Sequence, residues 1–350
     1  MKEKDWVKIN FFRDRKNVID EANHIKFLQE NNLYPKHFNM PLTLQFELTT
    51  HCNVFCKHCY NNSGLHNEYK DLMTSEKWKD FAKYLVKKGG IFQCVISGGE
   101  PLLLGNDLFD IMNILHDDGT HFLVISNGFL MTKEKAKRFS KYRYKWFQIS
   151  IDGATAEWHD DFRQRKGSWE RAVNAVFMLV NEGIPVTIAH SVTPGNLKDI
   201  DKMCKLAYSL GASSIIIGEV TPSGRSANNT DLVLNREQKN YLQEKINENI
   251  NLYSGKMIIQ RSASTKISLE RYANTPNTGA IIRPNGDIRL DCMAPFVIGN
   301  ILKQDFYDVW NKKVDTCWEH PLVKEYIDKY EDFQDISHSI KNYFDKDIYI

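Results

Sequence analysis

From about residue 43 to residue 254 the hydrophobic positions switch repeatedly between a period of two and a period near 3.6 residues. Leu42-Thr43-Leu44-Gln45-Phe46-Glu47-Leu48 alternates as a strand does. Trp78, Phe81, Ala82 and Leu85 then fall on one helical face, with Thr74 or Ser75 as cap and Gly89 as stop. Further strands are expected at Gln93–Ser97, Phe122–Ser126, Trp146–Ile151, Pro185–His190 and Ser214–Val220. Amphipathic segments lie between them. Ser168 is the expected cap of a helix carrying Val173, Val176, Phe177 and Val180, ended by Gly183. Asn196 is the expected cap of one carrying Ile200, Met203, Ala207 and Leu210, ended by Gly211. A last helix over Asn235–Tyr253 completes six strand–helix units. Such alternation predicts an α/β fold built on a parallel sheet with right-handed crossovers. An open doubly wound sheet and a curved partial barrel both satisfy it. No Gly-x-Gly-x-x-Gly follows the first strand, which disfavours a dinucleotide-binding sheet.

Beyond residue 255 the pattern changes. Gly279–Leu290 reads as a hairpin turning at Asn285-Gly286, and Lys303–Val314 and Pro321–Tyr330 read as short helices. The expected organisation is an N-terminal extension over 1–41, with a helix around Val18–Glu30, a core over 42–254 and a small α+β appendage over 255–350.

Composition narrows the function. The 350 residues are 42% hydrophobic and 26% charged, which is ordinary for a core-forming chain. A net charge of 46 − 44 = +2 provides no field favouring nucleic acid or an anionic membrane. Met1-Lys2-Glu3-Lys4-Asp5-Trp6 leads into no apolar h-region, and no apolar run approaches the ~18 residues of a membrane span. These features point to the cytoplasm, where clustered cysteines serve as metal ligands or reactive thiols rather than disulfides. Three of the seven cysteines, Cys52, Cys56 and Cys59, fall within eight positions directly after the first strand. Three thiolates spaced C-x3-C-x2-C can hold three irons of a [4Fe-4S] cube and leave the fourth open. A zinc site completed by His51, His58 or His66 is the alternative.

Four motifs end successive strands in order: the cysteine loop, Gly98-Gly99-Glu100-Pro101, Ser126-Asn127-Gly128 and Ser150-Ile151-Asp152-Gly153, with His159–Arg163 just beyond. Parallel sheets place ligands at this rim. Together the motifs resemble the radical SAM enzymes. The resemblance implies a partial (β/α)6 TIM-like barrel, one [4Fe-4S] cluster on Cys52, Cys56 and Cys59, and bound S-adenosylmethionine. It places His58 beside the adenine, and Gly98, Gly99 and Glu100 around the methionine moiety, with the role of Glu100 open. Ser126, Asn127, Ser150 and Asp152 join the cofactor rim, with Ser150 on the ribose and Arg163 on the carboxylate. The family's chemistry is reductive cleavage of S-adenosylmethionine to a 5′-deoxyadenosyl radical, fed by a flavodoxin- or ferredoxin-type donor.

Pro222-Ser223-Gly224-Arg225, the hairpin and Gly299-Asn300-Ile301 are similar to the peptide-maturing branch with a SPASM or twitch appendage. The appendage departs from that pattern. Residues 205–291 contain no cysteine, and only Cys292 and Cys317 follow, too few for an auxiliary cluster. The expectation is therefore a scaffold that has lost its auxiliary clusters, with a cluster on Asp or His ligands as the alternative, acting on a ribosomally made peptide. Cys292 and then Cys317 are candidate hydrogen donors for epimerisation, or else core residues. Cross-linking, a small-metabolite substrate, and a leader-peptide-binding module without catalysis are the alternatives. Cys94 and Cys204 are expected in the core.

Overall fold

The computed structural model describes residues 30–31, 37–64, 71–263, 265–329 and 347–350. The first alternating segment forms β1, Thr43–Glu47. Leu44 and Phe46 are fully buried, and Phe46 packs on Trp78 and Phe81 of α1, Ser75–Lys87, with ring centroids 4.9 and 5.7 Å away. Gln45 and Glu47 therefore project to the opposite face of the sheet. The same division recurs along the chain: β2 is Gln93–Ser97, α2 Asn106–Asp117, β3 His121–Ser126, α3 Lys133–Phe139 and β4 Tyr144–Ser150. Two helices, α4 (Ala156–Arg163) and α5 (Ser168–Asn181), lead to β5, Val186–Val192. Then follow α6 (Ile200–Ser209), β6 (Ser214–Glu219) and α7 (Arg236–Leu252).

β1 to β6 pair in sequence order, all parallel. Their helix-facing side is apolar, for example Phe147 and Ile149 of β4 and Ile215 and Ile217 of β6. The other face carries Gln45, Gln148, Ser150, Ala189 and Ser191, all half-buried. A polar, partly open inner face suits a ligand chamber rather than a packed core. The sheet continues past the expected boundary at 254, because β7 (Ile258–Arg261) pairs parallel with β6. After α8 (Thr265–Asn274) the chain crosses to the far edge, where β8 (Gly279–Ile282) pairs parallel with β1. β9 (Asp287–Arg289) and β10 (Phe296–Asn300) follow antiparallel, then α9 (Phe306–Lys313), α10 (Pro321–Lys329) and β11 (Ile348–Tyr349). Among the described residues the eleven strands form one sheet in the order β11-β10-β9-β8-β1-β2-β3-β4-β5-β6-β7. It ends at β7 and β11 without closing, so the barrel is partial.

Local expectations are corrected at three places. Asn196 makes no cap bond; its amide donates to the carbonyls of Asp152 and Ser191, both at 2.9 Å. Gly167 stands at the cap of α5, and Ser168 Oγ donates to Asp160 instead. In the hairpin, Gly286 N donates to Arg283 O, so Pro284-Asn285 form the turn rather than Asn285-Gly286. Proline's fixed φ suits the first central position of such a turn. The expected helix around Val18–Glu30, all but its last residue, lies outside the described residues. Among the described residues no helix is long and apolar enough to cross a membrane.

Candidate functional site

The strand ends converge on the cysteine loop. Thr49 and Thr50, which lead into it, are tied to the Asp71 carboxylate; Thr50 donates from N at 3.0 Å and from Oγ1 at 2.7 Å. The end of β2 seals the loop's first turn, with Gly99 N donating to Thr49 O at 2.6 Å and Glu100 N to His51 O at 2.9 Å. A Cβ on Gly99 would lie 2.0 Å from the His51 carbonyl oxygen, so only glycine allows this approach. The Cβ side of Gly99 is thus filled by the loop's own backbone.

Cys52 and Cys56 are buried and Cys59 half-buried, all three as free thiols packed with Val54. Burial, with Glu100 nearby, pushes the Cys52 thiol up to about 12. Burial pushes Cys56 up to about 11, against the opposing pull of Arg163. Bare thiols here are protonated, and a bound metal must displace those protons. Among the described residues no three His, Cys, Asp or Glu side chains converge on a point that would hold one ion. Of the histidines that could complete a zinc site, His66 lies outside the described residues. Cluster ligands bind different irons and need no common point. Asn127 Nδ2 lies 3.7 Å from Cys52 Sγ, an N–H donor of the kind that tunes a cluster ligand. The residues fit a [4Fe-4S] group.

Glu100 resolves into an organiser of this rim. It is fully buried and accepts from Leu102 N at 3.0 Å, Ser126 Oγ at 2.8 Å and Asn127 N at 2.8 Å. Burial raises its pKa, with the three hydrogen bonds opposing. Ser126 Oγ also accepts from Gly128 N at 3.0 Å, so Glu100 and Ser126 spend their polar atoms on each other and on the β3 turn. Asn127 reaches across to Asn53 Oδ1 at 2.9 Å. Glu100→Gln turns an amide N–H₂ toward at least one of these donors. It is expected to cost about 1–3 kcal/mol of stability and to loosen the β3 turn, measured by thermal unfolding.

On the other side, the last turn of α4 grips the loop: Phe55 N donates to Arg163 O at 3.2 Å and Lys57 N to Phe162 O at 3.0 Å. Beneath it lies a buried polar cluster. Arg163 donates from Nε at 2.9 Å and stands with Nη2 at 2.7 Å from Asp152 Oδ2, while Ser191 N donates to Oδ1 at 2.8 Å. Although burial opposes it, the Arg163 guanidinium holds the Asp152 carboxyl well below the usual range. Arg163 is therefore turned to Asp152, where the sequence suggested a ligand carboxylate. His58 stacks on Phe162 at 4.3 Å with parallel rings, and its Nε2 faces Asp152 at 3.4 Å. Burial lowers His58 to about 4 and His159 to about 3, so both are neutral. Ser150, at the end of β4, projects to the inner face.

The remaining cysteines separate. β9 runs antiparallel to β8 and carries Cys292 away from the rim toward the opposite end of the sheet. Cys292 is half-buried there, 4.0 Å from Asp291 Oδ2. Burial first, then Asp291 and the inward-facing Glu47, raise its thiol well above the usual value. Cys317 is a core residue, packed in the main hydrophobic cluster with Sγ donating to Val314 O at 3.4 Å. This is the core placement that the sequence offered as the alternative to a donor role. Cys94 and Cys204 are core residues as expected. Sequence reasoning missed Asp71, His190 and the pairing of Asp152 with Arg163; a buried acid two residues past β4 was the available signal.

A sheet of this order, with this loop at its rim, defines a radical SAM domain, and residues 46–207 match the Radical SAM superfamily. This stretch of the chain is a radical SAM domain, and enzymes of that superfamily use a [4Fe-4S] cluster and S-adenosylmethionine. The chain is 29% identical over 327 residues to the antilisterial bacteriocin subtilosin biosynthesis protein AlbA of Bacillus subtilis, covering 90% of this chain and 70% of AlbA. It is 34% identical to an AdoMet-dependent heme synthase of Methanosarcina barkeri, covering 53% of each. The chain thus spans about half the length of that relative. Among solved structures, Streptococcus suis SuiB bound to precursor peptide SuiA superposes with a TM-score of 0.63 at 15% identity, covering 86% of this chain and 69% of SuiB. That likeness is one of fold.

Proposed function

We propose that this protein is a peptide maturase in which Cys52, Cys56 and Cys59 hold a single [4Fe-4S] cluster and the neighbouring rim holds S-adenosylmethionine. The observation that carries it is the similarity to AlbA, which extends over 90% of the chain and so through most of the appendage. The heme synthase covers only 53%, which leaves a small-metabolite substrate as the second reading. Bound together, the two groups supply a carbon-centred radical able to take hydrogen from an unactivated carbon. The chain's own residues do the rest. Ser150, at the end of β4, takes the ribose in this reading, Asn127 orients Cys52, and Gly98, Gly99 and Glu100 lock the loop against β2. Arg163, neutralised by Asp152, stiffens the wall through His58. A flavodoxin- or ferredoxin-type protein supplies the electron.

Cys292 supports epimerisation over cross-linking. It stands toward the opposite end of the sheet from the cluster loop; in this reading a peptide bound between them is stripped of hydrogen on one side and resupplied on the other. The Sγ–H bond breaks, a C–H bond forms, and the external donor with a solvent proton restores the thiol. A thiol proton exchanges with water, so turnover in D2O is expected to place one deuterium at each inverted centre. Cys292→Ala protein should still cleave S-adenosylmethionine but lose that deuterium. Normal incorporation by the variant removes Cys292 from this role, and a product lighter by two hydrogens establishes cross-linking instead. Absence of any S-adenosylmethionine cleavage by the reconstituted protein would leave only a leader-binding module.

A further inference from the structure

The second side of the cysteine loop is closed by residues 223–229, just after β6. Gly224 has φ 58°, and a Cβ there would lie 2.4 Å from the carbonyl oxygens of both Cys59 and Tyr60, so glycine alone permits the contact. Arg225 follows. Its backbone N donates to Cys59 O at 2.9 Å, Nε to Cys56 O at 2.9 Å and Nη1 to Asn62 Oδ1 at 3.2 Å. Its guanidinium lies 3.8 Å from the centre of the Phe55 ring. Asn229 Nδ2 donates to Lys57 O at 3.3 Å. One arginine therefore secures the carbonyls of two of the three cysteines and covers the residue next to Cys56. Arg163, the other cation near Cys56, is neutralised by Asp152, whereas among the described residues the contacts of Arg225 are carbonyls, an amide and a ring.

We propose that Arg225 is a positioning residue for the cluster: it fixes the backbone at Cys56 and Cys59 and places an unneutralised positive charge beside them, raising the potential at which the bound cluster accepts an electron. This rests on the reading that the three cysteines hold a cluster. The physical basis is that reduction adds negative charge, which a nearby cation in a poorly solvated site stabilises.

Two variants separate grip from charge. Arg225→Lys keeps the charge and loses the planar fork; Arg225→Gln loses the charge and keeps one donor. In cluster-free protein, alkylation of Cys56 and Cys59, followed by peptide mass spectrometry, is expected to accelerate several-fold in both variants. In reconstituted protein, a redox titration followed by electron paramagnetic resonance should shift to more negative potential in Arg225→Gln and remain near the parent in Arg225→Lys. A parent-like potential in Arg225→Gln overturns the proposal whatever the alkylation rates. If Arg225→Gln does not fold, parent-like alkylation in Arg225→Lys overturns it. A parent protein that takes up no iron defeats the cluster reading itself, and the alkylation comparison then decides the grip alone.

Discussion

Cys56→Ala protein, reconstituted anaerobically with iron and sulfide, is expected to show neither the broad visible absorption of a [4Fe-4S] centre nor cleavage of S-adenosylmethionine. Cys56 is the middle of three thiols that share one loop, and its removal leaves two ligands for a cube that needs three. The loop itself should survive. Its backbone is tied by Phe162, Arg163 and the residues after β6 through main-chain atoms that alanine retains. Thermal unfolding of the cluster-free variant should therefore match the parent to within about 1–2 kcal/mol, apart from the small buried volume lost. Parent protein should bind about four irons per chain. About eight would require a second cluster, and Cys317, bonded to Val314 O inside the core, is poorly placed to serve one.

Arg163→Ala is expected to destabilise the cluster-free protein by about 3–5 kcal/mol, because it leaves the Asp152 carboxylate buried without its cation. Asp152 is wholly buried, and its nearest histidine neighbours are neutral. The pH dependence should change sign. In the parent the folded-state pKa of Asp152 lies below its ordinary 3.8, so the pair's contribution is present above that value and fades as the pH falls through the folded pKa. In Arg163→Ala the carboxylate keeps the Ser191 N–H but loses its cation, so acidification through the weakly acidic range, which protonates Asp152 or the histidine beside it, relieves part of the loss. Chemical denaturation at several pH values reads both. Stability unchanged from the parent would show that Asp152 is solvated and that Arg163 is free to meet a ligand.

The strand and helix pattern was legible because each element carries its own period and its own stops. Alternation in 42–48, the apolar face of Trp78, Phe81, Ala82 and Leu85, and the helix expected over Asn235–Tyr253 are local signals, and the structure places elements at all three. Asn196 was misjudged because a side chain that suits a helix cap also suits two carbonyls that only the folded β4 and β5 ends present. The seventh parallel strand was missed because four residues carry too little periodicity to stand out.

At the site, the cysteine spacing, the paired glycines of β2 and the ends of β3 and β4 lie within short stretches of chain, so the sequence by itself determined which residues meet at the rim. It also determined that they meet there, since parallel strands bring all their C-terminal ends to one side. The tertiary structure decided what each residue does on arrival. Glu100 faces Ser126 and Asn127; Arg163 faces Asp152; Arg225, more than 160 positions from the cysteine loop, closes on its carbonyls. These are choices among competing hydrogen-bond and charge partners. They are made only when burial removes water as a partner, and that happens once the sheet has assembled.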